Sequence, residues 1–495
     1  MNIKTTHLKS KIYFTLLLTF TFFAGHAQIG IGTITPNSSS ILDITSTDKG
    51  MLAPRMTTAQ RNAISSPADG LLVYDTDLKL FYYYLFSTTK WTPVNSGVTA
   101  RENFKRIKAA DDLSVVLAAE LAAGGGSKYE LDPSTLYEIN GLISFNYPIE
   151  LNNAYIQGLD TNEDIISRAS GNLFDGATGG SIKSVTLNAT GGKVFNLSGT
   201  ATQNLILRDC IVANSNTVGS VSGFGLVFCS IVQFSNNTNG ITYNNISQLL
   251  LSNMGWFGNN SGTYEKLTGT FSLVEKQGGF SKVDATSIGF DVSASGLTVG
   301  DGVLESVVFT GTNSAGYVNP YTTGTYPGYN FNNNWNVNSP GIPEEGDANA
   351  TGGFAVDFEV GTGDGVTFTD NTTRKKVGSM NTSTTYSNLF RFASNSTIAN
   401  RLIYKGKNQR IFQVSGSISF QVSAAGTYII YIAKNGSVLS EYKVYGRGLV
   451  ANDIVVLPLN ASVLLAPDDY VEVYAQRYSV SIGDIIVPNM TLTLK

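Results

Sequence analysis

Leu205-Ile206-Leu207, Leu226-Val227-Phe228 and Leu249-Leu250-Leu251 are short apolar runs spaced about 21 or 22 residues apart, separated by turns of Asn, Ser, Gly and Asp. Each run has strand length, and none could bury an apolar face alone. A degenerate repeat of this size predicts one coil of a right-handed parallel β-helix, in which each coil stacks its strands on the next. A β-sandwich would instead need hairpin turns every ~8–12 residues. Aligning Ile211-Val212 with Ile231-Val232 gives a neighbouring period of 20.

The same style of strand recurs upstream at Tyr137-Glu138-Ile139, Ala154-Tyr155-Ile156 and Val185-Thr186-Leu187. The β-helix is therefore expected over 105–311. A helix is predicted at its start, between about 105 and 123. Asp111 or Asp112 can cap it, Leu113, Val116, Leu117 and Leu121 form its apolar stripe, and Gly124-Gly125-Gly126 stops it. Such a helix would cover the open end of the stacked core.

Downstream the text changes twice. Residues 312–350 are dense in Tyr, Asn, Gly and Pro, including Pro320, Pro327, Pro340 and Pro343, and read as a linker. Residues 351–495 read as a separate β-sandwich. Phe412, Val414, Ile418, Phe420 and Val422 alternate with Gln413, Ser415, Ser417, Ser419 and Gln421. Tyr428 to Lys434 runs into Asn435-Gly436, a strong hairpin signal. Val471, Val473 and Ala475, and then Met490, Leu492 and Leu494, repeat the alternation.

Upstream, residues 28–97 form a small β module of short strands and turns, with one brief helix begun by Thr57 or Thr58. Its marker strings are Gln28-Ile29-Gly30-Ile31-Gly32-Thr33, Lys49-Gly50-Met51-Leu52-Ala53-Pro54-Arg55-Met56 and Gly70-Leu71-Leu72-Val73-Tyr74-Asp75-Thr76, followed by Phe81 to Tyr84 and Trp91.

Residues 1–27 carry the three parts of a cleavable signal peptide. Lys4, Lys9 and Lys11 make a basic start, Ile12 to Phe23 an apolar stretch, and Gly25-His26-Ala27 a small-residue cleavage site. The apolar stretch is well short of the roughly 20 residues that span a bilayer. Cleavage near Ala27/Gln28 and a secreted or cell-surface location are expected, with no membrane span. Removing the leader leaves 30 basic against 37 acidic residues, a net charge near −7, which argues against nucleic acid as a partner. Both histidines, His7 and His26, lie in the leader. The remaining chain thus lacks Ser-His-Asp and Cys-His chemistry, histidine bases and the usual zinc ligands. No catalytic residue, metal ligand or cofactor is assigned.

Three resemblances follow from these residues. The marker strings of 28–97 resemble the N-terminal module of surface proteins of Gram-negative gliding-type bacteria, and a similar segment occurs in tail-fibre-like proteins. Tyr137 to Asp160 resembles the pectate-lyase-like β-helices in fold pattern. The strand spacing of 351–495 looks like a jelly roll and resembles trimeric C1q/TNF-like heads and phage-fibre tips. Together they imply an all-β fold: a right-handed parallel β-helix with a small N-terminal β module and a C-terminal jelly-roll β-sandwich, assembled as a homotrimer.

Two functional readings compete. An adhesin-like structural protein would bind carbohydrate or a cell-surface protein through its C-terminal head. Tyr321, Tyr326, Tyr329, Phe331 and Trp335 could offer flat faces to sugar rings, or could pin their segment against its neighbours. The alternative is a carbohydrate-active β-helix enzyme, a polysaccharide lyase or glycosidase, which needs paired carboxylates. The local supply is Asp160, Glu163, Asp164, Arg168, Asp175, Arg208 and Asp209, with no pair recurring at coil spacing. Arg208 and Asp209 read better as a turn ion pair. Cys210 and Cys229 could form a disulfide in an oxidising compartment, or could be buried small apolar residues. Their neighbours Ile211-Val212 and Ile231-Val232 favour burial.

Overall fold

The computed structural model describes residues 28–94, 103–378, 384–394, 398–479 and 483–495, so the expected leader lies outside the described residues. Half of the chain is strand and little is helix. Residues 1–100 and 101–495 separate into two compact units.

In the first unit, Arg55–Met56 runs parallel to Leu72–Asp75, which pairs antiparallel with Leu80–Leu85 and then Lys90–Pro93. The brief helix Thr58–Asn62 begins in a reciprocal capping box between Thr57 and Gln60. It presents Arg61 inward, 2.9 Å from Asp75 and 3.9 Å above the Tyr82 ring. The preceding segment has no such core. Among the described residues Ile29–Ile31 pairs only with Leu42–Ile44, in parallel.

The second unit opens with a parallel β-solenoid of about eight turns. Each coil lays down three strands, and like strands stack in parallel register. One face holds Leu136–Asn140, Tyr155–Gln157 and Gly180–Lys183. A second holds Leu142–Ser144, Ile165–Arg168 and Thr186–Ala189. The third is a separate nine-stranded sheet from Tyr129–Glu130 to Val318–Asn319. In later coils the first two faces join into single bent strands, Asn204–Ala213, Leu226–Ser235, Gln248–Trp256 and Thr270–Lys282. The bend falls at a left-handed residue in each coil: Asp209, Ile231, Asn253 and the pair Gly278-Gly279, with Ser184 before them and Ser306 after. This column corrects the period of 20. Ile231 is the corner residue equivalent to Asp209, and Ile211 pairs with Gln233, 22 residues on.

Stacked side chains fill the interior as one core from Ile107 to Val337. The expected N-terminal helix is shorter than its apolar stripe suggested. Phe104–Lys108 is a strand, and the cap is two short helices, Leu113–Val116 and Ala118–Ala123, broken at Leu117. Asp112 caps the first, and Leu113, Val116, Leu117 and Leu121 do pack on the core. Glu120, buried, accepts hydrogen bonds from Lys105 Nζ at 2.5 Å and the Tyr137 hydroxyl at 2.8 Å, tying the cap to the coil beneath.

The stretch 312–350 is not a linker. Val318–Asn319 and Trp335–Asn338 are the last strands of the third and first faces, and Tyr321, Phe331, Trp335 and Val337 belong to the solenoid core. Its turn chemistry describes the excursion between these strands, while alternating Trp335 and Val337 carry the register.

The remaining chain forms two antiparallel sheets. In one, Thr351–Asp357, Ile485–Leu494, Arg410–Val422 and Ile454–Leu465 lie side by side. In the other, Leu402–Tyr404, Tyr470–Arg477, Gly426–Lys434 and Val444–Gly448 do so. The alternating residues Phe412, Val414, Ile418, Phe420 and Val422 all point into the core between the sheets.

Candidate functional site

A groove on the second unit follows from where the third-face strands begin. Lys193–Ser198, Ile241–Asn244 and Thr263–Thr268 each start directly after a glycine, and Thr217–Ser222 carries Gly219 as its third residue. At Gly219 (φ +119°) a Cβ would stand 1.9 Å from the Phe195 carbonyl oxygen; at Gly240 it would meet that of Tyr264 at 1.9 Å. Only glycine lets successive coils approach this closely. The result is an open groove of about 810 Å³ floored by Gly219, Gly240 and Gly262.

Outward side chains fall into a column, because Asn196, Ser220, Thr242, Lys266 and Asp291 are in register across five coils. Hydroxyls of Thr217, Ser220, Thr242 and Thr263, amides of Asn216 and Asn239, and the ammonium groups of Lys193 and Lys266 line the groove. Lys193 Nζ donates to Asn196 Oδ1 at 3.1 Å, and Lys266 Nζ lies 3.5 Å from Asp291. The lining holds hydrogen-bonding groups of both polarities and no carboxylate. It suits recognition of a polar ligand and contains no nucleophile with a base beside it.

Behind this wall lies a sealed charged cluster. Lys276 Nζ is 3.0 Å from one carboxylate oxygen of Glu265 and 2.9 Å from the other, with both side chains buried in the solenoid interior. Tyr264 stacks on Trp256 at 4.5 Å between ring centroids, and the Lys276 ammonium lies 4.9 Å above the Tyr264 ring. Burial raises the Glu265 carboxyl above its ordinary range, and Lys276 offsets part of that rise. A pair with no access to solvent serves the core rather than a ligand.

The acidic residues expected to supply an enzyme are dispersed. Asp164 is buried and accepts backbone N–H groups from Gly141, Leu159 and Asp160. Burial works to raise the pKa of its carboxyl, but those three donors outweigh it and leave it below the usual carboxylate range. Asp160 caps its own turn through the Asn162 N–H, and Glu163 is exposed. Asp175 accepts from the amides of Asn172 and Asn196, and Arg168 Nε donates to the Ser170 carbonyl. Asp209 is a left-handed corner residue, and no ion pair joins it to Arg208 among the described residues. Among the described residues no three His, Cys, Asp or Glu side chains converge on a metal-sized site.

The aromatic candidates also have structural employment. Tyr321 and Trp335 are buried, with the Trp335 indole N–H donating to the Tyr321 hydroxyl at 3.0 Å. Phe331 packs against Trp335. Tyr326 and Tyr329 both meet Phe390 of the sandwich, Tyr329 stacking at 4.0 Å. The aromatics thus pin their segment to its neighbours, and none but Tyr326 and Tyr329 retains even a partly open ring. Cys210 and Cys229 are buried free thiols, not a disulfide. Their register explains it: Cys210 is level with Val232, and Cys229 with Leu207.

Sequence reading missed the joint between solenoid and sandwich. Buried Arg391 donates to the Trp335 and Glu345 carbonyls and to the Asp347 carboxylate. Glu345, also buried, accepts the backbone N–H groups of Asn330 at 2.7 Å and Phe331 at 3.0 Å. Burial pushes its carboxyl up to about 7, against the opposing pull of those two donors and of Arg391. Neither residue stands in a motif that the sequence alone would single out.

Residues 30–106 match the family described as a phage tail like trimerisation region. No curated protein matches the chain. Among solved structures it is similar to the enzymatically active domain of tailspike protein 4 of bacteriophage CBA120, at 11% identity and a TM-score of 0.22, over 90% of this chain and 77% of that one. No helix among the described residues is long and apolar enough to cross a membrane.

Proposed function

We propose that the chain is an exported, homotrimeric, fibre-like protein of the cell exterior, adhesin-like in role, which binds carbohydrate or a cell-surface partner. The observation that carries this reading is the state of residues 29–52. Ile34 is 99% exposed, Ile41 83% and Leu52 82%, with Ile29, Ile31, Leu42, Ile44 and Met51 also open to solvent. Eight large apolar side chains on a segment with one two-stranded pairing have no core of their own among the described residues, and exposed apolar groups in such number mark an association site. Its coincidence with the matched trimerisation region supports three copies joined there. The leader-like residues 1–27 support export, and the sheet order of the C-terminal sandwich supports the jelly-roll reading of a terminal head. The polar solenoid groove adds a second surface suited to sugars.

Light scattering on the full chain tests the assembly. A mass three times that of the chain is expected, and Ile31→Asp with Ile41→Asp is expected to lower it toward one. A monomeric wild-type protein would remove the basis of the reading. A glycan array coupled to a reducing-end assay tests the binding role, with retention and no new reducing ends expected.

A further inference from the structure

Two columns of inward side chains run through the solenoid core, and both change character at the same level. On the first face Leu207, Cys229, Leu251, Lys276, Leu304 and Val337 stack in register. On the third face Gly219, Ile241, Glu265, Phe290 and Val318 do so. Lys276 and Glu265 are the only charged members of these columns, and they face each other. Both are sealed, at 1% and 0% exposure, with Leu251 and Leu304 enclosing the lysine and Ile241 and Phe290 the glutamate.

An ion pair in such a place has a weak energetic case. Stripping two charges of water costs more than their attraction returns unless every remaining polar atom is satisfied, and apolar replacements are often neutral or stabilising. Here satisfaction is incomplete. Lys276 Nζ donates to Glu265 Oε1 at 3.0 Å and stands 2.9 Å from Oε2, which has no hydrogen-bond partner among the described residues. The stacked rings of Tyr264 and Trp256 wall in the pair. As an ion pair the two groups are poorly served; as reactants they are held close together and dry.

We propose that Lys276 and Glu265 condense into an intramolecular amide, a covalent rung joining Thr263–Thr268 to Thr270–Lys282 across the solenoid interior. Contact with both oxygens puts the carbon between them within the ~3–3.5 Å of a near-attack pair, and rotation about Cγ–Cδ turns its face to the nitrogen. Burial, which raises the Glu265 carboxyl, favours moving one proton from the ammonium to the carboxylate, leaving a neutral amine and a neutral acid. The Nζ lone pair attacks Cδ, the nitrogen–carbon bond forms and the bond from Cδ to its hydroxyl breaks. A proton passes from nitrogen to that hydroxyl, and one water leaves. No oxidant or co-reactant is needed. Fixed proximity, equivalent to ~10⁵–10⁸ M in well-oriented pairs, replaces a catalyst. The product has no charge to desolvate. The proposal stands on the solenoid register and is independent of the number of copies or the ligand.

Peptide mapping of the full-length, natively folded protein by mass spectrometry tests it. Trypsin acts after Lys and Arg, so an unlinked chain yields 209–266, 267–276 and 277–282 as separate peptides. The amide blocks cleavage at Lys276, and 209–266 should stay joined to 267–282 with a mass one water below their sum. Lys276→Arg keeps the charge without the amine nucleophile, and E265I/K276L restores apolar columns should the arginine not fit. Neither variant should form the joined species. Release of 267–276 at its sequence mass as the main product from wild-type protein overturns the proposal. So does a loss of water that persists in either variant.

Discussion

Asn237 and Asn260 occupy the buried corner where the second face turns into the third. The Ser215 N–H donates to Asn237 Oδ1, and the Asn237 N–H to Asn260 Oδ1, while the two side-chain amides donate to the Val212 and Phe234 carbonyls. Each asparagine side chain thus satisfies backbone groups of the coil before it. Replacing Asn237 with Ala leaves the Ser215 N–H and the Val212 carbonyl buried without that partner, and a loss of about 2–4 kcal/mol is expected in urea unfolding. Glu345 works in the opposite sense with pH. Its folded carboxyl titrates near 7 against an ordinary 4.5, so the folded protein holds its proton more tightly than the unfolded chain does. That contribution is fully present below pH 4.5 and is lost as pH rises to about 7, a change of about 2–3 kcal/mol. Glu345→Gln should flatten this part of the stability profile in pH-scanned thermal melts. Burial also pushes the Cys210 thiol up to about 11 and the Cys229 thiol up to about 12. Neither should react with a thiol reagent in the native protein at neutral pH, and both should react after denaturation.

At the scale of the element, the corner decides what a coil tolerates. Gly219→Ala forces a Cβ against the Phe195 carbonyl at a φ of +119°, and a loss above about 2 kcal/mol is expected in denaturant titration. Gly296→Ala, at φ +77° with nothing within 4 Å of the added carbon, should cost about 1 kcal/mol. The same contrast between strand and corner explains how much of the solenoid could be read from the chain. Leu205, Val227 and Leu249 stack at intervals of 22 residues, and their repeat is visible because the turns between them are equal. Beyond Leu249 the partners are Val274, Gly302 and Trp335, at intervals of 25, 28 and 33, so the strands keep register while the turns grow. The last turn is long enough, and rich enough in proline and glycine, to resemble a linker. The sandwich strands were legible from period-2 alternation at Phe412 to Val422. The groove was not, because its lining comes from four coils whose polar residues have no meaning until register brings them side by side. Glu265 and Lys276 were hidden for a related reason: nothing local distinguishes a charge that faces inward.

For the molecule as a whole, the described residues divide the work between an N-terminal segment with little core of its own and a solenoid with a continuous one. The first is suited to joining copies and the second to holding surfaces in fixed register. The unequal turns have a mechanical consequence. Under tension, coils of a stacked solenoid peel away one after another, each releasing its own contour length. At about 3.5 Å per extended residue, the 22-residue coils would lengthen the chain by roughly 75 Å and the 33-residue coil by roughly 115 Å. A protein pulled from its C-terminal side should therefore yield in a descending staircase, its longest steps first, so that force itself reads out which coil has opened.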